Sequence, residues 1–222
     1  MGMTLRVVVP PHPLIAHWLT LLRDRSTPAP LFATAMTELG RWLTYEALRD
    51  WLPQRPVEVD TPLSRTGGMV VDARIPLLAV PVLRGGLGLW QGAQAVLPAA
   101  AVSHVGVTTG APGGEAHWYL DDLPASIGSN VGILVFLPVL ASGATLLAVI
   151  ERLRERGVEA GDRLRVITTV ASAPGLREVG EREAHLTIYC SCIDPELDER
   201  RRVLPGFGDA ALRLYGLEAS SS

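Results

Sequence analysis

The chain has 222 residues, with 20 arginines, no lysine and 23 carboxylates; its formal charge is −3, and it is 48% hydrophobic and 19% charged. That length fills one core, the composition is too apolar for a disordered chain, and an acidic balance lacks the positive field of a non-specific nucleic-acid binder. Two cysteines build no disulfide framework, and the opening MGMTLRVVV, closed by Pro10 and Pro11, is too short an apolar run for a signal peptide, so a cytoplasmic protein is expected.

The first part of the chain reads as helical. His17 to Arg23 and Leu31 to Trp51 carry apolar residues at helical spacing, among them Leu31, Met36, Leu39, Trp42, Leu43 and Leu48. Two short β-like runs around Ser64-Arg65-Thr66-Gly67-Gly68 predict a hairpin arm over 57–71. Strand and helix then alternate. Strands are predicted at Leu77 to Leu83, Val102 to Thr108, Val131 to Leu137, Leu164 to Val170 and Leu186 to Ile193. Helices are predicted at Leu87 to Val96, Thr145 to Arg156 and Gly175 to Arg182. Continuous apolar strands separated by helices indicate an α/β fold with a parallel sheet covered on both faces, in a single domain spanning 1–222. Only the tail, Ala219 to Ser222, reads as disordered.

The run from Leu123 to Ile150 carries no charge, and Val131 to Ile150 is long enough to span a bilayer. Pro138, Ser142, Gly143 and Thr145 interrupt it. It reads instead as a buried strand, a turn of small residues and a helix with Leu146, Leu147, Ile150 and Leu153 inward. No membrane span is expected.

Ligands of open parallel sheets sit beyond the carboxyl ends of strands, which directs attention to the turns there. After Leu83 comes Arg84-Gly85-Gly86-Leu87-Gly88. Its glycines let backbone N–H groups approach an anion, with Arg84 as a charged donor; a tight turn with a solvated arginine is the alternative. After Leu137, the residues Ser142, Gly143, Ala144 and Thr145 lead into a helix and suit a phosphate; simple helix capping by Ser142 or Thr145 is the alternative.

Other features read more plainly. Strand alternation puts Cys190 and Cys192 on one face as buried thiols, with no metal site. His12, before Pro13, fixes local structure. Asp121-Asp122 reads as a solvated loop pair rather than a Mg²⁺ site, and Arg200-Arg201-Arg202 as an exposed run within possible reach of an anionic ligand. Asp194 and Glu196 either cap the loop after the last strand or face a ligand. Trp42 belongs to the core, Trp90 to a subunit interface, and Trp118 to a flexible lid segment.

Taken in order, these segments resemble the uracil phosphoribosyltransferase family. His12 to Phe32 resembles the family opening and Leu43 to Leu48 (LTYEAL) its Tyr-Glu-Ala signature. PVLRGGLGL (Pro81 to Leu89) resembles the loop that contacts pyrophosphate, and LPVLASGAT (Leu137 to Thr145) stands where the family has DPMLATGGS, the loop for the ribose 5-phosphate. IDPELDERRRVLPGFGDAALRLYG (Ile193 to Gly216) resembles the family's ID…YIVPGLGDAGDRLFG, which recognises uracil. The resemblance implies a phosphoribosyltransferase-type sheet with a hairpin arm and a base-recognition segment over 194–216. It implies transfer of ribose 5-phosphate from phosphoribosyl pyrophosphate to uracil, giving UMP, with Mg²⁺ accompanying the pyrophosphate substrate, in a homodimer. Carried over residue by residue, Arg84 takes pyrophosphate. Ala141, Ser142, Gly143, Ala144 and Thr145 cradle the 5-phosphate, and Val203, Gly208 and Ala210 read uracil through their backbone. Asp209 lies beside base and ribose as the catalytic residue, and no residue is implied as a metal ligand.

The departures from the family gather at the charged chemistry. The aspartate at the head of the phosphoribosyl loop is Leu137, the second pyrophosphate arginine is Thr109, and the lysine of a YYxKLP-like segment is Asp122. A Gly-Tyr pair in the last block is Arg201-Arg202. Between Arg84 and Arg152 lie 67 residues without a single Lys or Arg. Two expectations follow. In one, the chain is a working enzyme in which Arg200, Arg201 or Arg202 reaches the anion or Asp209 holds a metal. In the other, it is a catalytically degenerate homologue that binds uracil or UMP in a regulatory or structural role.

Overall fold

The computed structural model describes residues 5–97, 99–109, 116–159, 161 and 163–216; the tail expected to be disordered lies outside them. After the short strand β1 (Arg6–Val8), α1 (Pro13–Arg23) starts at His12, whose Nδ1 accepts the Leu14 N–H at 3.2 Å, with Pro13 at the first helical position. His12 therefore has the local structural role its sequence suggested. The stripe Phe32, Met36, Leu39 and Leu43 buries one face of α2 (Ala29–Leu48). The arm is β2 (Gln54–Asp60) paired antiparallel with β3 (Arg65–Val71).

The alternating region follows: β4 (Leu77–Pro81), α3 (Gly86–Ala93), β5 (Ala101–Val102), β6 (Val105–Thr109), β7 (Ala116–Asp121), β8 (Gly132–Leu140), α4 (Ala144–Glu155), β9 (Leu164–Ser172), α5 (Ala173–Arg182) and β10 (Thr187–Asp194). Two short strands, β11 (Glu196–Leu197) and β12 (Val203–Leu204), and α6 (Ala210–Tyr215) end the described chain. The main sheet has the order β1-β10-β9-β8-β4-β5, with parallel pairing throughout. One apolar cluster covers the face under α1, α2 and α3, and a second covers the face under α4. The run 131–150 is β8, a bend and the start of α4, and among the described residues no helix is long and apolar enough to cross a membrane.

Helix α3 lies against α2 at a distance only glycine permits. A Cβ on Gly92 would stand 1.7 Å from the Thr37 carbonyl oxygen, and one on Gly40 would stand 2.0 Å from that of Leu89. This contact fixes where the turn before α3 points.

Three expectations need correction. The strand expected over 102–108 is broken. Ala101–Val102 belongs to the main sheet, whereas Val105–Thr109 keeps a single parallel bridge, Val105 to Val82, and otherwise pairs antiparallel with β7. Trp118 accordingly sits in a strand rather than a flexible lid, with the Arg152 guanidinium 4.8 Å over its ring. Trp90 is 6% exposed and packs on Phe136 inside the chain's own core, not on a subunit surface.

A further correction explains the site. Strand alternation should put Cys190 and Cys192 on one face, yet Cys190 belongs to the second core and Cys192 packs on the first. The same slip occurs in β8, where Phe136 and then Val139 face the first core, and in β9, where Ile167 and then Val170 do so. The residues out of phase form one row across the sheet: Pro138, Thr169 and Ser191, none of which appears in the strand register. Pro138 has no N–H to offer. Hydroxyls bridge the gap instead, Thr169 donating to the Pro138 carbonyl and Ser191 to that of Thr169. Beyond this row, Val139, Ala141 and Val170 turn towards the pocket described next.

Candidate functional site

A pocket of about 310 Å³ opens at the carboxyl ends of β8 and β9, between the Arg84 turn and the C-terminal segment. The Arg84 turn is held by Leu83 N–H to Val105 O (2.7 Å) and Gly86 N–H to Val82 O (2.9 Å). The Leu83–Arg84 peptide is cis. A Cβ on Gly85 would lie 2.8 Å from Pro138 Cγ and 3.3 Å from Ala210 Cβ, so this glycine lets three chain segments meet. The Tyr119 hydroxyl donates to Leu83 O (3.2 Å) and the Tyr215 hydroxyl to Arg84 O (3.4 Å). The exposed Arg84 guanidinium lies 5.9 Å from the Tyr215 ring centre and, among the described residues, has no carboxylate partner.

The second wall is the bend into α4. Gly143 takes φ +83, a left-handed conformation that suits glycine, and no side chain caps the helix. The capping alternative for Ser142 and Thr145 is therefore not what forms. Ser172 secures the bend from below, its hydroxyl donating to Ala141 O and accepting the Gly175 N–H at 2.9 Å. Ala141 lines the pocket; Ser142, Gly143, Ala144 and Thr145 follow it beyond the lining. Thr145 Oγ1 lies 3.3 Å from Thr109 Oγ1.

The third wall is the C-terminal segment. Gly206 and Gly208 both have positive φ, and Asp209 caps α6 by accepting the Leu212 N–H at 2.9 Å. The buried Asp194 accepts the Gly206 N–H at 2.9 Å and pairs with Arg23 at 2.6 Å, while Arg23 also donates to Gly206 O at 3.2 Å. Asp194 thus holds the loop and does not face a ligand. Arg213 ties the same loop to the end of α1, donating to Phe207 O (2.9 Å), Asp24 O (2.6 Å) and Leu22 O, with its guanidinium 4.3 Å over the Phe32 ring.

Of the residues expected at a site, the fold brings Arg84, Ala141, Val203, Gly208, Asp209 and Ala210 around one pocket. Leu137 is not at its mouth: it is 4% exposed and belongs to the core with Leu140, Leu146 and Val149. Asp121 is no solvated acid, because its carboxylate meets Arg156 at 2.9 Å and Arg152 at 3.6 Å. Arg200, Arg201 and Arg202 are exposed, as expected of this run; Arg201 and Arg202 also line the pocket, and Arg202 pairs with Asp198 at 2.7 Å. The ties that Arg23 and Arg213 make between the loop and α1 had no sequence signal, since Asp194 lies 171 residues from Arg23 and Leu22 lies 191 residues from Arg213.

Among the described residues no three His, Cys, Asp or Glu side chains gather as a metal centre, and Asp209 is the one carboxylate of the pocket lining. That donor set does not fit a resident Mg²⁺, which needs oxygen ligands in near-octahedral array.

The profile of the uracil phosphoribosyltransferase family matches residues 9–217. The chain belongs to that family. The uracil phosphoribosyltransferase of Synechococcus elongatus is 48% identical over 216 residues, covering 97% of this chain and 99% of that protein. The chloroplastic uracil phosphoribosyltransferase of Arabidopsis thaliana is 41% identical, covering 96% of this chain and 71% of its own length. The solved AQ2163 protein of Aquifex aeolicus superposes with a TM-score of 0.85 at 29% identity, over 96% of this chain and 99% of that one. The sheet, the broken edge strand and the pocket described above are therefore those of a uracil phosphoribosyltransferase family member, a phosphoribosyltransferase-type α/β fold.

Proposed function

We propose that the chain performs pyrimidine salvage, transferring the ribose 5-phosphate of phosphoribosyl pyrophosphate to N1 of uracil and releasing UMP and pyrophosphate. The observation that carries this reading is the meeting of the Arg84 turn, Ala141 and the Val203–Ala210 segment around a single pocket of about 310 Å³.

The C–N bond forms as the C–O bond to pyrophosphate breaks, through an oxocarbenium-like transition state, so positioning and charge stabilisation dominate. Uracil lies against the backbone of Val203, Gly208 and Ala210, and the 5-phosphate sits in the 141–145 bend at the head of α4. Arg84 stabilises the departing pyrophosphate. Asp209 spends Oδ1 on the Leu212 N–H and offers Oδ2 to base and ribose. Mg²⁺ enters as part of the substrate, on the pyrophosphate oxygens.

A non-catalytic binder of uracil or UMP is the second reading. The observation behind it is Leu137, which offers no hydrogen-bond acceptor where the family has an aspartate and is sealed in the core. A homodimer is supported by apolar side chains on and beside the arm: Leu63 is 97% exposed, Met69 60% and Val71 50%. A cytoplasmic setting is supported by the two unpaired cysteines.

Labelled uracil supplied with magnesium phosphoribosyl pyrophosphate is expected to yield labelled UMP, with dependence on both substrates. UMP binding without turnover would move the assignment to the second reading.

A further inference from the structure

We propose that Arg201, which stands where the family segment has a glycine, is a pyrophosphate-binding residue. The inference rests on the phosphoribosyl-transfer reading of the pocket. It starts from charge. Arg84, Arg201 and Arg202 stand around the pocket against one carboxylate, Asp209. Asp198 neutralises Arg202, whereas Arg84 and Arg201 have no ion-pair partner among the described residues. Two uncompensated guanidinium groups on one small pocket repel each other until an anion arrives between them. The 67 residues between Arg84 and Arg152 supply no other Lys or Arg, and Thr109 is engaged with Thr145. Besides Arg84, the arginines that line the pocket therefore come from the C-terminal segment.

Backbone geometry points the same way. Arg201 has φ +60, and it is the one non-glycine residue with positive φ among those described. A side chain is disfavoured in that conformation and glycine is not. The tight turn between β11 and β12 imposes it: Arg201 N–H donates to Asp198 O at 2.8 Å, and Asp198 N–H to Arg202 O at 2.9 Å. A strained arginine held at a pocket rim, in a turn that would form more easily with glycine, marks a side chain retained for what it binds.

The full-length chain is titrated calorimetrically with magnesium pyrophosphate and, separately, with uracil, using Arg201→Gly, Arg201→Lys and, as a control outside the lining, Arg200→Ala. Arg201→Gly is expected to raise the thermal midpoint while weakening pyrophosphate about tenfold and leaving uracil unchanged, the loss of one charge-assisted contact. Arg201→Lys should recover most of the affinity, and Arg200→Ala should match the parent. Unchanged pyrophosphate affinity in Arg201→Gly, or an equal loss for uracil, overturns the proposal. If the parent forms no UMP but Arg201→Gly still loses pyrophosphate selectively, the transfer reading fails and the assignment of Arg201 stands.

Discussion

The hydroxyl of Thr109 lies 3.3 Å from that of Thr145, joining the end of β6 to the first turn of α4. Thr109, which by resemblance stands where the family carries a pyrophosphate arginine, is thus turned onto the bend proposed to hold the 5-phosphate. On the proposed reading, a hydroxyl in this place shares its hydrogen bond with an incoming anion. Thr145→Val should weaken UMP about tenfold, the worth of one charge-assisted hydrogen bond, and leave uracil unchanged. Calorimetry with the two ligands separates these effects.

If the Val203–Ala210 segment holds the base as proposed, Asp194 ties base binding to stability. Its carboxylate is almost fully buried, pairs with Arg23 and accepts the Gly206 N–H. Asp194→Asn leaves the part-buried Arg23 guanidinium without its carboxylate, at a cost of about 2–4 kcal/mol in urea unfolding. Because Gly206 sits between Val203 and Gly208, uracil affinity should fall in the same variant, measured well below its unfolding transition. Loss of stability with full uracil affinity would separate the clamp from the base site.

Gly85 is a test of how closely the pocket walls approach. Gly85→Ala places a methyl 2.8 Å from Pro138 Cγ. Overpacking of this kind costs about 1–3 kcal/mol and shifts backbone. The variant should remain folded by circular dichroism while its UMP affinity drops at least tenfold.

Leu137→Asp looks, by resemblance, like a repair. In this fold it introduces a carboxylate among Leu140, Leu146 and Val149. Unpaired burial of that group should cost about 3 kcal/mol or more and bring no gain in turnover. A faster, equally stable variant would show that the strand can re-present this side chain to the sugar.

Both thiols are held protonated by burial, Cys190 to about 12 and Cys192 to about 11; the Arg23 charge only partly offsets the effect at Cys192. The unfolded chain ionises its thiols first, so their contribution to stability is complete below about pH 9 and is lost as pH rises towards 11 and 12. At pH 8 alkylation of the native chain should run roughly a hundredfold slower than that of an ordinary exposed thiol, and urea should abolish the difference.

The sheet and its helices were legible because buried parallel strands read as continuous apolar runs, as in Gly132–Leu140 and Leu164–Ser172. The pocket was legible through its glycine-rich turns and the order of its motifs. What sequence could not reveal depends on contacts between distant residues. The row Pro138, Thr169 and Ser191 is a property of three strands at once. It moves Cys192 across the sheet, against simple alternation. Strand β1, three residues long, carries too little pattern to detect. The break at Val102 leaves the local apolar run intact, and only the antiparallel partner β7 shows where β6 goes.

The most direct test of the central claim is the crystal structure of the chain with UMP. The account requires the base against the backbone of Val203, Gly208 and Ala210, and the phosphate over the bend from Ala141 to Thr145. A phosphate bound away from that bend, with the base outside the pocket beside Arg84, would contradict it.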